Sequence, residues 1–128
     1  MRHPAEEINS VVARYTGALA IKEIWEIGSR DGEDSKVLAK VFSSAKVNSF
    51  EPNPDTYHLV KDVANKSNSR IYAQNIALSN HDGVIQFFKI DTKSTQTTWP
   101  DGNPGASSIF MANNEYTLEK YVQTPIEV

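Results

Sequence analysis

The feature that most restricts the folding of this chain is the run Ile24-Trp25-Glu26-Ile27-Gly28-Ser29-Arg30-Asp31-Gly32. An apolar stretch ending in an acid, two glycines with three residues between them, and then a helical pattern describe a strand, a tight loop and a helix. A second acid, Glu51 of Phe50-Glu51-Pro52-Asn53, closes the next apolar run, Val47-Asn48-Ser49-Phe50, about twenty residues beyond Gly28. A carboxylate there in a doubly wound sheet can accept hydrogen bonds from ribose hydroxyls. Together the two signals predict a strand-helix-strand unit built around a nucleoside cofactor.

The rest of the chain extends that pattern. Glu6 to Leu19 places Ile8, Val11, Val12, Tyr15 and Leu19 at helical spacing, predicting a helix with one face to bury. Lys22 to Ile27 reads as the first strand, Asp34 to Phe42 as a helix with Val37, Leu38 and Val41 inward, and Lys46 to Phe50 as the second strand. Pro52 and Pro54 start a helix over Asp55 to Asn65. Arg70 to Asn75 is a third strand, and Gly83 to Ile90, after the turn Asn80-His81-Asp82-Gly83, a fourth. Strands alternating with helices predict an α/β fold with a parallel sheet and right-handed crossovers. Asp91 to Asn114, rich in Thr, Ser, Asn, Gly and Pro, predicts a long functional or mobile loop. Glu115 to Tyr121 reads as a short helix, and Gln123 to Val128 as the opening of another strand. Trp25 is expected in the core, while Trp99 in the polar loop either covers a ligand or packs.

Composition bounds the partners. With 128 residues, 39% of them hydrophobic and 23% charged, one ordinary globular domain over 1–128 is expected. The formal net charge is −3 and the thirteen Lys and Arg residues are scattered along the sequence, which argues against nucleic acid as the main partner. There is no cysteine, so disulfides and thiolate metal sites are excluded. His3, His58 and His81 lack ligand spacing, and no metal is expected. Met1 to Glu7 lacks the apolar core of a secretory signal and no run is long enough to span a bilayer, so neither a membrane partner nor export is expected and the cytoplasm is the default. Asn65-Lys66-Ser67 matches a glycosylation sequon, which carries little meaning without such a signal.

Four blocks then carry a family resemblance: Glu26 to Gly32, Phe50 to Asn53, Asn75-Ile76-Ala77-Leu78-Ser79 with Gly83 following, and Gly105-Ala106-Ser107-Ser108. In their order and approximate spacing, from Ile24 to Val128, the chain resembles the FkbM family of methyltransferases. The resemblance implies a Rossmann-like methyltransferase fold, mostly parallel sheet with flanking helices, and S-adenosylmethionine as the cofactor. It also implies O-methylation of a hydroxyl on a small molecule or glycan. Glu26 would then face the cofactor's ammonium group, and the backbone of Gly28, Ser29, Arg30 and Gly32 would receive its methionine portion. Glu51, with Pro52 and Asn53, would hold the ribose, and Gln74, Asn75 and Ala77 would lie against the adenine. Glu26 departs from the usual aspartate, and Ser29-Arg30 from a commoner small residue and asparagine; Arg30 either reaches the cofactor carboxylate or stays on the surface. The family continues with a leucine-aspartate element and a strand carrying Lys-x-Asp-x-Glu-Gly, neither present here. The chain is therefore expected to be the cofactor-binding half of a longer domain, either truncated or completed by another chain, with an unpaired sheet edge that predicts a homo-oligomer or poor stability.

Each of these residues also has a plainer reading. Gly28 and Gly32 serve any tight turn, Glu51 and Glu26 any charged strand end or helix start, and Gln74 and Asn75 any turn. Ser107 and Ser108 belong either to an active-site lid or to a mobile loop. Methyl transfer from a sulfonium needs mainly an in-line acceptor and, where required, a base, and no catalytic residue is assigned. Two other functions stand beside the methyltransferase. A nicotinamide-dependent oxidoreductase would share the ribose acid, but Arg30 stands where its second glycine belongs. A non-catalytic module would bind a nucleoside or only associate through its edge.

Overall fold

The computed structural model describes residues 3–16, 21–115 and 117–128, which fall into two compact units, Met1–Leu78 and Ser79–Val128. The first holds helix α1 (Pro4–Tyr15), strand β1 (Glu23–Ile27), helix α2 (Glu33–Val41), strand β2 (Lys46–Phe50), helix α3 (Pro54–Asn65) and strand β3 (Ile71–Gln74). The second holds strand β4 (Gln86–Ile90), a single turn of 3₁₀ helix (Pro104–Ala106) and strand β5 (Gln123–Glu127).

In the first unit the three strands form a parallel sheet in the order β1-β2-β3, flanked by helices. Register sets Ile24 beside Val47 and Val47 beside Ile71, so these three share one face. Leu38 and Ala39 of α2 and Val63 and Ala64 of α3 pack on that same face, forming the core. Val47 and Val60 are fully buried, each contributing about 1.5–3 kcal/mol from apolar burial. Helix α3 begins where the sequence dictates: Asn53 caps it, its Oδ1 accepting from the Asp55 N–H at 3.0 Å, and Pro54 occupies the first helical position, where no N–H is required.

The opposite face of the sheet carries Glu23, Trp25 and Ile27 from β1 and Tyr72 from β3, and it is largely bare. Trp25 is therefore not a core residue; it remains 60% exposed and Ile27 66% exposed. Alternation along β1 sends both to the face that α2 and α3 do not cover. Trp25 stacks at a tilt on the buried Phe50, ring centroids 5.4 Å apart, and donates its indole N–H to Glu23. The Lys46 ammonium lies 4.3 Å from the centre of the Tyr72 ring.

Helix α1 lies against α2, and the His3 ring caps it, Nδ1 accepting from the Ala5 N–H while Nε2 lies 3.0 Å from Asp34 Oδ1. The inward stripe expected of this helix is not buried: of its residues only Ala5 is, with Ile8 and Val11 half exposed and Tyr15 83% exposed. The expected extension of the helix to Leu19 falls on 17–20, outside the described residues.

In the second unit β4 and β5 pair antiparallel, Phe87 beside Ile126 and Lys89 beside Thr124, as a separate two-stranded sheet. Neither joins the parallel sheet, which corrects the expectation of one mostly parallel sheet. The stretch from Asp91 to Asn114 is tied down rather than featureless. Asp91 folds back on Lys93 and Ser94, Gln96 bridges to Lys120, and Ser108 bridges to Phe88. The helix expected over Glu115 to Tyr121 is absent among the described residues there. Asn114 takes both main-chain groups of Tyr121, accepting from its N–H at 2.7 Å and donating to its carbonyl at 3.1 Å, while Glu119 accepts from the Thr98 hydroxyl. These bonds, to partners seven and 21 residues away, displace the local i to i−4 ladder. Among the described residues no helix is long and apolar enough to cross a membrane.

Candidate functional site

The carboxyl ends of the three parallel strands open into three loops: 28–32 after β1, 51–53 after β2, and 75–78 after β3. In open α/β sheets that end of the sheet is where ligands bind. Here the loops are bonded to one another. The Gly28 and Ser29 N–H groups donate to the Phe50 carbonyl at 2.9 and 3.0 Å, and the Glu51 N–H donates to the Gln74 carbonyl at 3.0 Å.

Glu51 sits at the centre of this arrangement, 5% exposed at the end of the central strand. Its Oε2 accepts from the Arg30 N–H at 2.6 Å and its Oε1 from the Asn53 N–H at 2.8 Å. One carboxylate thereby clamps the first loop to the second. Burial pushes its pKa above the ordinary 4.5, against the pull of the Asn53 and Arg30 amides and the Thr56 hydroxyl. A carboxylate offers about four lone-pair sites, so after the two amides and the Thr56 hydroxyl about one site remains for a further donor.

The loop 28–32 is shaped by its glycines. Gly28 and Gly32 adopt φ of +83° and +78°, and the space beyond the Gly28 Cα is open. Gly32 is crowded, since an added Cβ would lie 3.1 Å from the Val60 Cα and 3.3 Å from the Val63 side chain. The first glycine leaves the main chain approachable; the second lets α3 close against the start of α2. Arg30 between them is left-handed at φ 52°, which aims its N–H at Glu51, and its side chain is half exposed with Nε 3.9 Å from Asp31 Oδ2.

The remaining expected site residues take more structural places. Glu26 turns toward α2, where Oε2 accepts from the Ser35 hydroxyl, which in turn lies 2.6 Å from the Ser49 hydroxyl. Burial raises the Glu26 pKa, the Ser35 bond opposes it, and Asp34 adds repulsion. Ser29 is buried, its hydroxyl donating to the Glu26 carbonyl at 3.3 Å. Asn53, 2% exposed, is occupied as the α3 cap. The Asn75 amide donates to the Glu51 carbonyl at 2.8 Å and to the Pro52 carbonyl at 3.2 Å, joining the third loop to the second. Gln74 contributes its carbonyl to Glu51, and Pro52 and Ala77 lie half-buried in the second and third loops. Ser35 and Ser49 escaped the sequence reading; the signal was their polarity on the buried faces of a helix and a strand.

In the second unit Ser107 and Ser108 hold the chain through main-chain bonds. Ser107 Oγ accepts from the Ile90 N–H and donates to the Pro104 carbonyl, and Ser108 Oγ accepts from the Phe110 N–H. Trp99 is more than half exposed and packs in no core. Among the described residues no group of three or more His, Asp or Glu side chains is placed to hold a metal ion.

Acidity marks the start of α2. Asp31, Glu33 and Asp34 gather there with Glu26 just beneath, and the Asp31 carboxylate itself accepts from the Glu33 N–H at 3.1 Å. Compared with protein-family models, with curated proteins and with solved structures, the chain matches none of them.

Proposed function

We propose that the first unit is the cofactor-binding half of a Rossmann-like, FkbM-type methyltransferase that holds S-adenosylmethionine across the carboxyl ends of β1, β2 and β3. In this reading the Glu51 carboxylate takes the ribose hydroxyls, the open main chain at Gly28 receives the methionine portion, and Gln74 to Ala77 flank the adenine. The carrying observation is Glu51: a buried carboxylate at the end of the central strand, preoriented by two backbone N–H groups and adjoining the Gly28 to Gly32 loop. Glu26 supports the loop from below through Ser35. Its negative charge, with those of Asp31 and Asp34, favours a cationic sulfonium or ammonium at this rim.

The same acidity weighs against the oxidoreductase. A dinucleotide pyrophosphate would need the positive end of the α2 dipole, and that end is already neutralised by Asp31, Glu33 and Asp34. The acceptor is a hydroxyl of a small molecule or glycan, the compartment the cytoplasm, and the base remains unassigned.

Isothermal titration of S-adenosylhomocysteine into the full chain, beside NAD and beside Glu51→Ala, tests the reading. Saturable binding of the homocysteine compound, lost in the variant and absent for NAD, is expected. A folded chain that binds neither, or binds NAD, refutes it.

A second reading, a self-associating module, is favoured by the exposed Trp25 and Ile27 beside the edge of β1 that has no strand partner among the described residues. It predicts a concentration-dependent dimer in sedimentation equilibrium that Ile27→Lys returns to monomer. A monomer at all concentrations rejects it.

A further inference from the structure

Four of the thirteen cations that look scattered in the sequence are gathered on one groove of the first unit. Between α2 and the turn that joins α3 to β3 lies a groove of about 540 Å³ walled by Lys36, Lys40, Lys66 and Arg70 over an apolar floor of Ala39 and Val63. Among the described residues Glu33 is the only acid on its rim, and its carboxylate is taken by Lys36, 2.8 Å from the ammonium. Lys40, Lys66 and Arg70 have no carboxylate partner among the described residues. Part of the Lys66 charge offsets the carbonyl end of α3, where that residue is the C-cap. Part of the Lys40 charge likewise offsets the carbonyl end of α2, in whose last turn it lies, which leaves Arg70 with neither a helix end nor, among the described residues, a carboxylate to balance it.

Two further observations give the groove a built character. Arg70 is held in place, one guanidinium nitrogen donating to the Ser43 carbonyl at 3.0 Å, which leaves most of its planar fork of donors free. The turn below it is strained, since Asn68 and Ser69 are consecutive non-glycine residues at φ 52° and 60°. Ser67 pins that turn from both sides, donating to the Ala64 carbonyl at 2.6 Å and accepting from the Ile71 N–H at 3.0 Å. Left-handed backbone at such residues persists only where surrounding bonds enforce it, and it concentrates at binding sites.

We propose that this groove binds a small multiply charged anion of the polyphosphate class, with Arg70 as the oriented fork and Lys40 and Lys66 as flanking charges. The site is separate from the crevice at the carboxyl ends of the strands and does not depend on the methyltransferase reading.

The test is a titration of inorganic pyrophosphate into isotope-labelled full chain at constant ionic strength, followed by amide chemical shifts. Saturable shifts confined to 36–40 and 66–71 are expected. Lys40→Gln with Lys66→Gln should weaken the dissociation constant roughly tenfold while leaving the remaining spectrum unchanged. Arg70→Lys keeps the charge but loses the fork, and it should weaken binding as well. Equal shifts at Lys93 and Lys120, or an Arg70→Lys variant that binds like the parent, would mean diffuse surface charge and overturn the site. A thymidine oligonucleotide that shifts the same amides at lower phosphate concentration than pyrophosphate would overturn the small-ligand assignment.

Discussion

Replacing Gly32 by alanine separates two physical costs that Gly28→Ala does not share. Both glycines sit at positive φ, where an L side chain costs about 1–2 kcal/mol. At Gly28 nothing lies within 4 Å of the added Cβ, so that cost stands alone. At Gly32 the Cβ arrives 3.1 Å from the Val60 Cα, backbone that cannot swing aside, and 3.3 Å from the Val63 side chain. Val60 is fully buried, so relief requires α3 to move off the sheet, adding about 1–2 kcal/mol of overpacking. The expected loss for Gly32→Ala is then about 2–4 kcal/mol in all. At roughly 4–8 °C per kcal/mol for a unit of this size, the melting temperature should fall by roughly 8–32 °C. Thermal and urea unfolding of the full chain, followed by far-ultraviolet circular dichroism and by fluorescence of Trp25 and Trp99 together, would measure both variants. A Gly32→Ala protein within about 0.5 kcal/mol of the parent, or no less stable than Gly28→Ala, would refute the close packing of α3 against this loop.

Asn53→Ala removes a buried helix cap and should cost about 1–2 kcal/mol in urea unfolding, with Asn53→Ser recovering much of it; an unchanged midpoint would count against the cap. Burial holds the Glu26 and Glu51 carboxyls above the ordinary 4.5, so the folded chain binds these protons more tightly than the unfolded chain. Their contribution to stability is present below 4.5 and lost as pH rises through the raised folded values. Glu26→Gln should flatten the fall in urea midpoint that begins at that pH, and a slope identical to the parent's would show that Glu26 does not titrate in this way.

The first unit was legible because its signals are local. Gly28, Gly32, Pro52, Pro54 and the short apolar runs each mark a boundary within a few residues, and the observed β1, α2, β2, α3 and β3 follow them. What escaped depends on partners far along the chain. Trp25 lies in an apolar strand, but which face of that strand receives helices is decided by α2 and α3. Glu115 to Tyr121 has helical propensity, yet Asn114 and Thr98 capture its polar groups. Lys36, Lys40, Lys66 and Arg70 are spread over the sequence and meet only because α2 runs beside the end of α3. Glu51 was found by spacing, but its grip on the Arg30 and Asn53 amides is a three-dimensional fact.

The bond from the Arg30 N–H to Glu51 makes a surface-loop amide depend on a buried anion. Solvent exchange at Arg30 then requires an opening that also releases the loop after β2, a requirement it shares with the Gly28 and Ser29 amides bonded to the Phe50 carbonyl, so this proton should exchange slowly in deuterium oxide. Its lifetime becomes a gauge of how tightly the two loops are latched, and any molecule that engages Glu51 will register there without touching Arg30 itself.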